Sequence, residues 1–152
     1  MNKLAASCVI ASLALSATPV LAQTLTFQSQ EKDVVTSDGV RPDGTAFGGR
    51  YSTGTANMVW ADGTKVTETY KCIGVTMPPN DTTYNARTIC ENSGPNGVSA
   101  VIWGCTSPDK VSKAIFCTGW ASGKSGNYAG RRGTMTFRGV GDKGSGTGQW
   151  GN

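Results

Sequence analysis

From residue 24 to residue 151 the chain reads as short alternating segments, each broken by turn residues. The clearest is Lys65-Val66-Thr67-Glu68-Thr69-Tyr70-Lys71-Cys72. Its odd positions are charged or hydroxylated, and its even positions carry Val, Tyr and Cys beside one acid. A period of two is the signature of a strand with one face turned inward. Beyond residue 22, no window holds the 3.6 spacing of a helix for ten residues without a Gly, a Pro or a run of Thr. The pattern predicts strands at roughly 24–30, 48–60, 65–77, 83–91, 98–105, 113–120, 127–139 and 144–151, with residues 31–47 as a polar loop that holds at most a weak strand. About eight strands at this spacing predict an all-β domain, an antiparallel up-and-down barrel or a sandwich, with the barrel preferred.

Turn chemistry sets the expected registers. Asp62-Gly63 and Asn96-Gly97 are dipeptides that close two-residue hairpins, and Pro78-Pro79-Asn80-Asp81, Ser107-Pro108-Asp109 and Gly141-Asp142-Lys143-Gly144 mark further loops. A turn at Asp62-Gly63 sets Trp60 opposite Lys65 and Val59 opposite Val66. One at Asn96-Gly97 sets Cys90 opposite Trp103. One at Asp142-Lys143 sets Met135 opposite Trp150. One face then holds Asn57, Val59, Val66, Glu68, Tyr70, Cys72, Tyr84, Cys90, Val101, Trp103, Cys105, Ile115 and Cys117, and is taken as the interior. The other face collects Lys65, Lys71, Arg87 and Glu91, but also Met58, Trp60, Ile73, Val75, Ile89, Ile102, Phe116 and Trp120. That much outer apolar surface leaves three expectations: the barrel forms a homo-oligomer through this face, a bulge or second layer covers it, or inside and outside are exchanged.

The first 22 residues have a different character. Met1-Asn2-Lys3 is basic, Leu4 to Ala17 is uncharged and rich in Ala and Leu, and Val20-Leu21-Ala22 offers the small residues that a signal peptidase reads. This predicts a signal peptide at 1–22, a single barrel domain at 23–152, and export to the periplasm or the medium. No later segment is apolar enough to predict a membrane span. The remaining part keeps Cys72, Cys90, Cys105 and Cys117, an even set that predicts two disulfides in an exported chain. Cys72 and Cys90 lie symmetrically about Asp81, and Cys105 and Cys117 about Val111, so each pair is expected to staple one hairpin.

Composition narrows the chemistry. The chain has 152 residues and no histidine, which removes Ser-His-Asp and Cys-His hydrolysis and His-ligated metal. No C-x-x-C pair is present, so no metal is expected, and with no Walker A motif and no Rossmann glycine fingerprint no cofactor is expected. A net charge of +4, dispersed along the chain, does not predict a nucleic-acid partner. Glu68 is the one acid that the register places mid-strand on the interior face, where burial would raise its pKa and suit it to catalytic proton transfer or to anchoring a polar ligand group. Its other reading is a solvated residue near the barrel mouth. Trp103 with Tyr70 and Tyr84 is expected to line a pocket, together with Met135, Phe137 and Trp150 from the C-terminal strands; ordinary core packing is the competing reading.

The run from Gly123 to Phe137, GKSGNYAGRRGTMTF, resembles the Gly-x-x-Gly-x-Tyr-x-Gly-x-x-Gly-x-x-x-Phe pattern of the allene oxide cyclase and dirigent barrels and of small secreted bacterial proteins similar to them. Gly144-Ser145-Gly146-Thr147-Gly148-Gln149-Trp150 is similar to the closing strand of those bacterial relatives. The resemblance implies an eight-stranded, calycin-like barrel with an apolar interior, oligomeric in the plant members and active without a cofactor. Three functions stay open at this point: an exported barrel that binds a small apolar ligand, a cofactor-free cyclase or isomerase acting on a lipid-derived or phenolic substrate through an interior acid, and a protein-interaction or inhibitor barrel using its outer face.

Overall fold

A computed structural model describes residues 22–44, 46–76, 83–107 and 111–151. Eight strands follow one another around a closed antiparallel barrel: β1 (Gln23–Val40), β2 (Ala46–Trp60), β3 (Lys65–Thr76), β4 (Ala86–Gly94), β5 (Gly97–Thr106), β6 (Ile115–Gly123), β7 (Arg132–Val140) and β8 (Lys143–Gly151). β8 pairs back onto β1 over Gln23–Gln30, so the barrel wall itself has no free edge. The expected leader of residues 1–22 lies outside the described residues apart from Ala22, as do the loop positions 77–82 and 108–110.

The first strand is much longer than the alternation suggested. β1 runs through the expected polar loop to Val40 and pairs with β2 from Ala46 onward, with a register shift between Glu31 and Asp33. Its residues beyond the shift are mostly exposed on both faces, so no burial pattern marks them as strand. A hairpin that extends past the barrel wall needs only cross-strand hydrogen bonds, and those leave no trace in hydropathy. The stretch before β7 is also different from expectation: Gly126–Tyr128 is a single 3-10 turn rather than strand.

Turn details move three registers. Val59 pairs with Lys65 rather than Val66, because the Trp60 N–H bonds the Thr64 carbonyl and the connection is one residue longer than a two-residue hairpin. An odd shift exchanges faces. Met58 and Trp60 therefore point inward and are buried, while Val59 and Asn57 face solvent. The other two shifts are even and keep faces. Gly94 pairs with Gly97, so Cys90 meets Val101 instead of Trp103. Val140 pairs with Lys143, so Met135 meets Gly148 instead of Trp150.

Both expected disulfides are present. Cys72 lies directly opposite Cys90 and Cys105 directly opposite Cys117, each pair bonded across adjacent strands. Two disulfides fit an exported chain. Among the described residues, no helix is long and apolar enough to cross a membrane. The outward residues of β7 and β8 are Arg132, Thr134, Thr136, Arg138, Lys143, Ser145, Thr147 and Gln149, with Val140 at one end, so no apolar band circles the barrel as a lipid-facing wall requires.

Glycine shapes the inside. On β8 the inward positions are Gly144, Gly146 and Gly148, followed by Trp150. A Cβ on Gly144 would stand 2.1 Å from the Phe137 ring, and one on Gly146 would stand 2.5 Å from Phe27. Bare backbone on one wall thus receives the rings carried by its neighbours, which is how a barrel this narrow accommodates them.

Candidate functional site

The two ends of the barrel differ. One end is filled by Leu25, Met58, Trp60, Val101, Ala121, Tyr128, Met135 and Trp150, all buried. The connection from β6 to β7 folds over it: Lys124 N–H bonds the Val98 carbonyl at 2.8 Å and Asn127 N–H bonds the Asn96 carbonyl at 2.7 Å. That fold drives Tyr128 into the barrel, where its ring stacks 4.9 Å from Trp150 and 6.3 Å from Trp60. Its hydroxyl donates to Glu68 Oε1 at 2.7 Å.

Glu68 is therefore interior, at 4% exposure, as the β3 alternation indicated. Its surroundings are the closed end, and it does not line the cavity described below. Burial is the larger influence and raises its pKa; the Tyr128 hydrogen bond acts the other way. The Tyr128 phenol is raised in turn by burial and by the neighbouring carboxyl. A glutamate with a raised folded pKa stabilises the fold most when protonated in both states. Its contribution is fully present below the ordinary value of 4.5 and is lost as pH rises through the folded value. Asp62 and Glu91 are lowered, by hydrogen bonds from Thr64 and from Lys124, and act in the opposite direction. The difference between the wild type and Glu68→Gln isolates the buried acid. Urea titrations from pH 4 to 8 are expected to show Glu68→Gln gaining stability relative to wild type as pH rises above about 4.5. A constant difference across that range would mean that Glu68 is hydrated in the folded protein.

The other half of the lumen is hollow. A cavity of about 320 Å³ opens at the end where β1 meets β2 beyond the barrel wall. Phe27, Trp103 and Phe137 form its aromatic floor; Phe137 is 6.3 Å from Phe27, ring to ring, and 5.9 Å from Trp103. Both disulfides form part of the wall. Tyr70 lies against bare Gly54, and burial with the nearby Glu31 pushes its phenol up to about 12. At the mouth stands an ion pair of Arg50 with Glu31, along with Asp142 and Lys143; Asp142 accepts a hydrogen bond from Gln30 at 2.7 Å. The cavity thus offers a sulfur- and ring-lined body with charged groups only near its entrance, and with the polar side chains of Ser52, Thr88 and Asn92 along its wall.

Of the expected lining residues, Tyr70, Trp103 and Phe137 take that position. Met135 and Trp150 do not, because they belong to the packed closed end. Tyr84 is a correction of another kind. Its ring lies on the outer wall over Gly104, with Arg87 5.5 Å from the ring centroid and Thr118 Oγ1 3.4 Å from its hydroxyl. It precedes β4, which starts at Ala86, so strand alternation did not apply to it. Phe27 was missed as a wall residue, although Thr24-Leu25-Thr26-Phe27-Gln28 alternates cleanly. Tyr128 was missed as a plug; the signal was one aromatic among Gly123, Gly126 and Gly130, where a Cβ on Gly123 would collide with the Tyr128 carbonyl.

Outside, the expected apolar face is partly there. Ile73, Ile89, Ile102 and Trp120 form one cross-strand row from β3 to β6, exposed by 66%, 57%, 51% and 63%. Met58 and Trp60 have left that face for the core. No family model matches this chain, and no curated protein matches it closely enough to count as a relative.

Proposed function

We propose that this protein is an exported binding barrel that holds a small, mainly apolar molecule in its open lumen half. The observation that carries the reading is the cavity of about 320 Å³, floored by Phe27, Trp103 and Phe137 and charged only at its mouth. Its size is at the lower end for small-molecule sites and suits a one- or two-ring compound. Arg50 and Glu31 at the entrance favour an amphiphile whose polar group stays near water. The resemblance of the Gly123–Phe137 run to the allene oxide cyclase and dirigent barrels supports the same reading, and the two disulfides and the leader-like first 22 residues support export.

A cyclase or isomerase would need an acid facing the ligand. Glu68 was the candidate, and it sits behind the aromatic plug with its carboxyl taken by Tyr128. The acids that do line the cavity, Glu31 and Asp142, stand at its mouth, Glu31 paired with Arg50 and Asp142 with Gln30, so binding is preferred over catalysis. The exposed row Ile73, Ile89 and Ile102 supports a second reading, association with another copy or with a partner protein.

Native mass spectrometry of the protein purified from its own host addresses both readings, since it weighs any retained ligand and counts copies. A titration with the neutral probe N-phenyl-1-naphthylamine then tests the lumen. Trp103→Ala is expected to weaken probe binding roughly tenfold, the scale of one lost aromatic contact. Equal affinity in wild type and Trp103→Ala, with no retained mass, would take the ligand out of the lumen.

A further inference from the structure

A second site lies on the outer wall, away from the lumen and built from different residues. A trough of about 620 Å³ crosses β6, β7, β8, β1 and β2. Cross-strand pairing puts its floor in two rows. Thr118, Thr136, Thr147, Thr26 and Val59 succeed one another from β6 to β2. Trp120, Thr134, Gln149 and Thr24 do the same one step along the strands, and the Ala61 N–H bonds the Thr24 carbonyl to end that row. Neighbouring positions in a row are about 4.8 Å apart and the rows about 6.7 Å apart, as sheet geometry dictates. The outer strands thus carry threonines, each with a methyl and a hydroxyl, with one carboxamide, one indole and Val59, and the trough's surface is more apolar than polar.

The inward glycines of β8 are part of the reason. Its sequence alternates Gly inside with Ser145, Thr147 and Gln149 outside, so the wall that receives rings on one face presents only short polar groups on the other. Thr136 and Thr147 hold each other at 2.7 Å between hydroxyls, which leaves one donor hydrogen and several lone pairs facing out. Trp120 stands at the side of this floor, 63% exposed. No ionisable side chain lines the trough.

These features select among occupants. A charged ligand would find no ionisable group on the floor itself. An extended peptide would have no free strand edge to pair with in the trough, since each strand of its floor is paired on both sides. A lipid chain would strand six threonine hydroxyls and a carboxamide against hydrocarbon. A second copy of the chain would bury the same hydroxyls, while the apolar row that ends at Trp120 leads away from the trough through Ile102 and Ile89 to Ile73. A sugar ring satisfies all of it, because it has a C–H face for the indole and a rim of hydroxyls that both donate and accept. We infer that the outer trough is a binding site for a neutral polysaccharide, with one sugar ring stacked on Trp120 and its hydroxyls paired to Thr134, Gln149 and their neighbours.

Affinity electrophoresis tests this with the whole protein, in native gels cast with galactomannan, xyloglucan, mixed-linkage β-glucan or dextran, and with alginate as the anionic comparison. The wild type is expected to be retarded by at least one neutral polymer. Trp120→Ala should weaken that retardation at least tenfold, and Thr134→Val, which keeps the shape and deletes a hydroxyl, several-fold. Trp103→Ala in the lumen should retain it, which separates this site from the one above. Retention of the two disulfides, checked by intact mass, and an unchanged near-ultraviolet circular dichroism spectrum confirm folding of each variant. Retardation by no neutral polymer, by alginate alone, or equally in Trp120→Ala and wild type overturns the proposal. So does a dimer in sedimentation velocity that Trp120→Ala dissolves, since the trough then belongs to a second copy.

Discussion

Replacing Cys72 and Cys90 together by alanine is expected to lower the unfolding free energy by about 3 kcal/mol, and replacing Cys105 and Cys117 by about as much. The bonds close loops with sequence separations of 18 and 12 residues, and in the chain-entropy model each mainly restricts the unfolded chain. The two loops do not overlap in sequence, so the effects should nearly add. A domain of this size holds roughly 5–15 kcal/mol in total, so the variant lacking all four cysteines should be close to unfolded at room temperature. Urea unfolding of the two double variants and the quadruple variant measures this. Losses under about 1 kcal/mol for each pair would show that the reduced unfolded chain is already compact. The consequence reaches the site, because all four cysteines line the open lumen. Probe affinity should fall in the quadruple variant even under conditions where some of it remains folded.

The closed end gives the second large effect. A Cβ on Gly123 would come within 1.6 Å of the Tyr128 carbonyl oxygen, a distance no relaxation of side chains can relieve. Gly123→Ala must therefore move the backbone of the cap. Overpacking of this kind costs about 1–3 kcal/mol or more. Withdrawing Tyr128 adds the cost of leaving the Glu68 carboxyl without its donor, about 1–3 kcal/mol. A total of roughly 2–6 kcal/mol follows from the two together. Tyr128→Phe removes only the hydroxyl and should show the second part alone. If both act through the same contact, the double variant Gly123→Ala/Tyr128→Phe will be less destabilised than the sum of the singles, by most of the Tyr128→Phe effect. Gly123→Ala within about 0.5 kcal/mol of wild type would falsify the assignment of Gly123 as the seat of the plug.

Both experiments bear on function through the division of the lumen. The plug of Tyr128 and Trp150 fills one half and isolates Glu68, which leaves the other half for a ligand. Opening the plug would join the two, and Gly123→Ala is the variant in which Glu68 first meets solvent or a ligand.

Much of this architecture was legible in the chain. The strict alternation of β3 put Glu68, Tyr70 and Cys72 inside, and no tertiary information was needed for that. The equal spacing of the cysteine pairs about their loops named the disulfide partners, because hairpin symmetry depends only on chain position. The number and spacing of strands pointed to a closed barrel. The long arm of β1 was not legible, since its residues are exposed on both faces and hydropathy carries no record of backbone pairing.

What the sequence alone determined, then, was which residues alternate, which cysteines can meet, and that the sheet is antiparallel. These follow from local geometry and from the two-residue period. The tertiary structure decided which way β2 faces, because a single extra residue after Trp60 turned Met58 and Trp60 into the core and Asn57 and Val59 out of it. It also decided where the lumen is filled and where it is empty. That depends on Tyr128, carried by a 3-10 turn, reaching across the barrel end to Glu68, 60 residues away in the chain. Contacts at such separation have no periodicity to announce them. They exist only once eight strands have closed into a ring and the glycines have made room for the rings that pack against them.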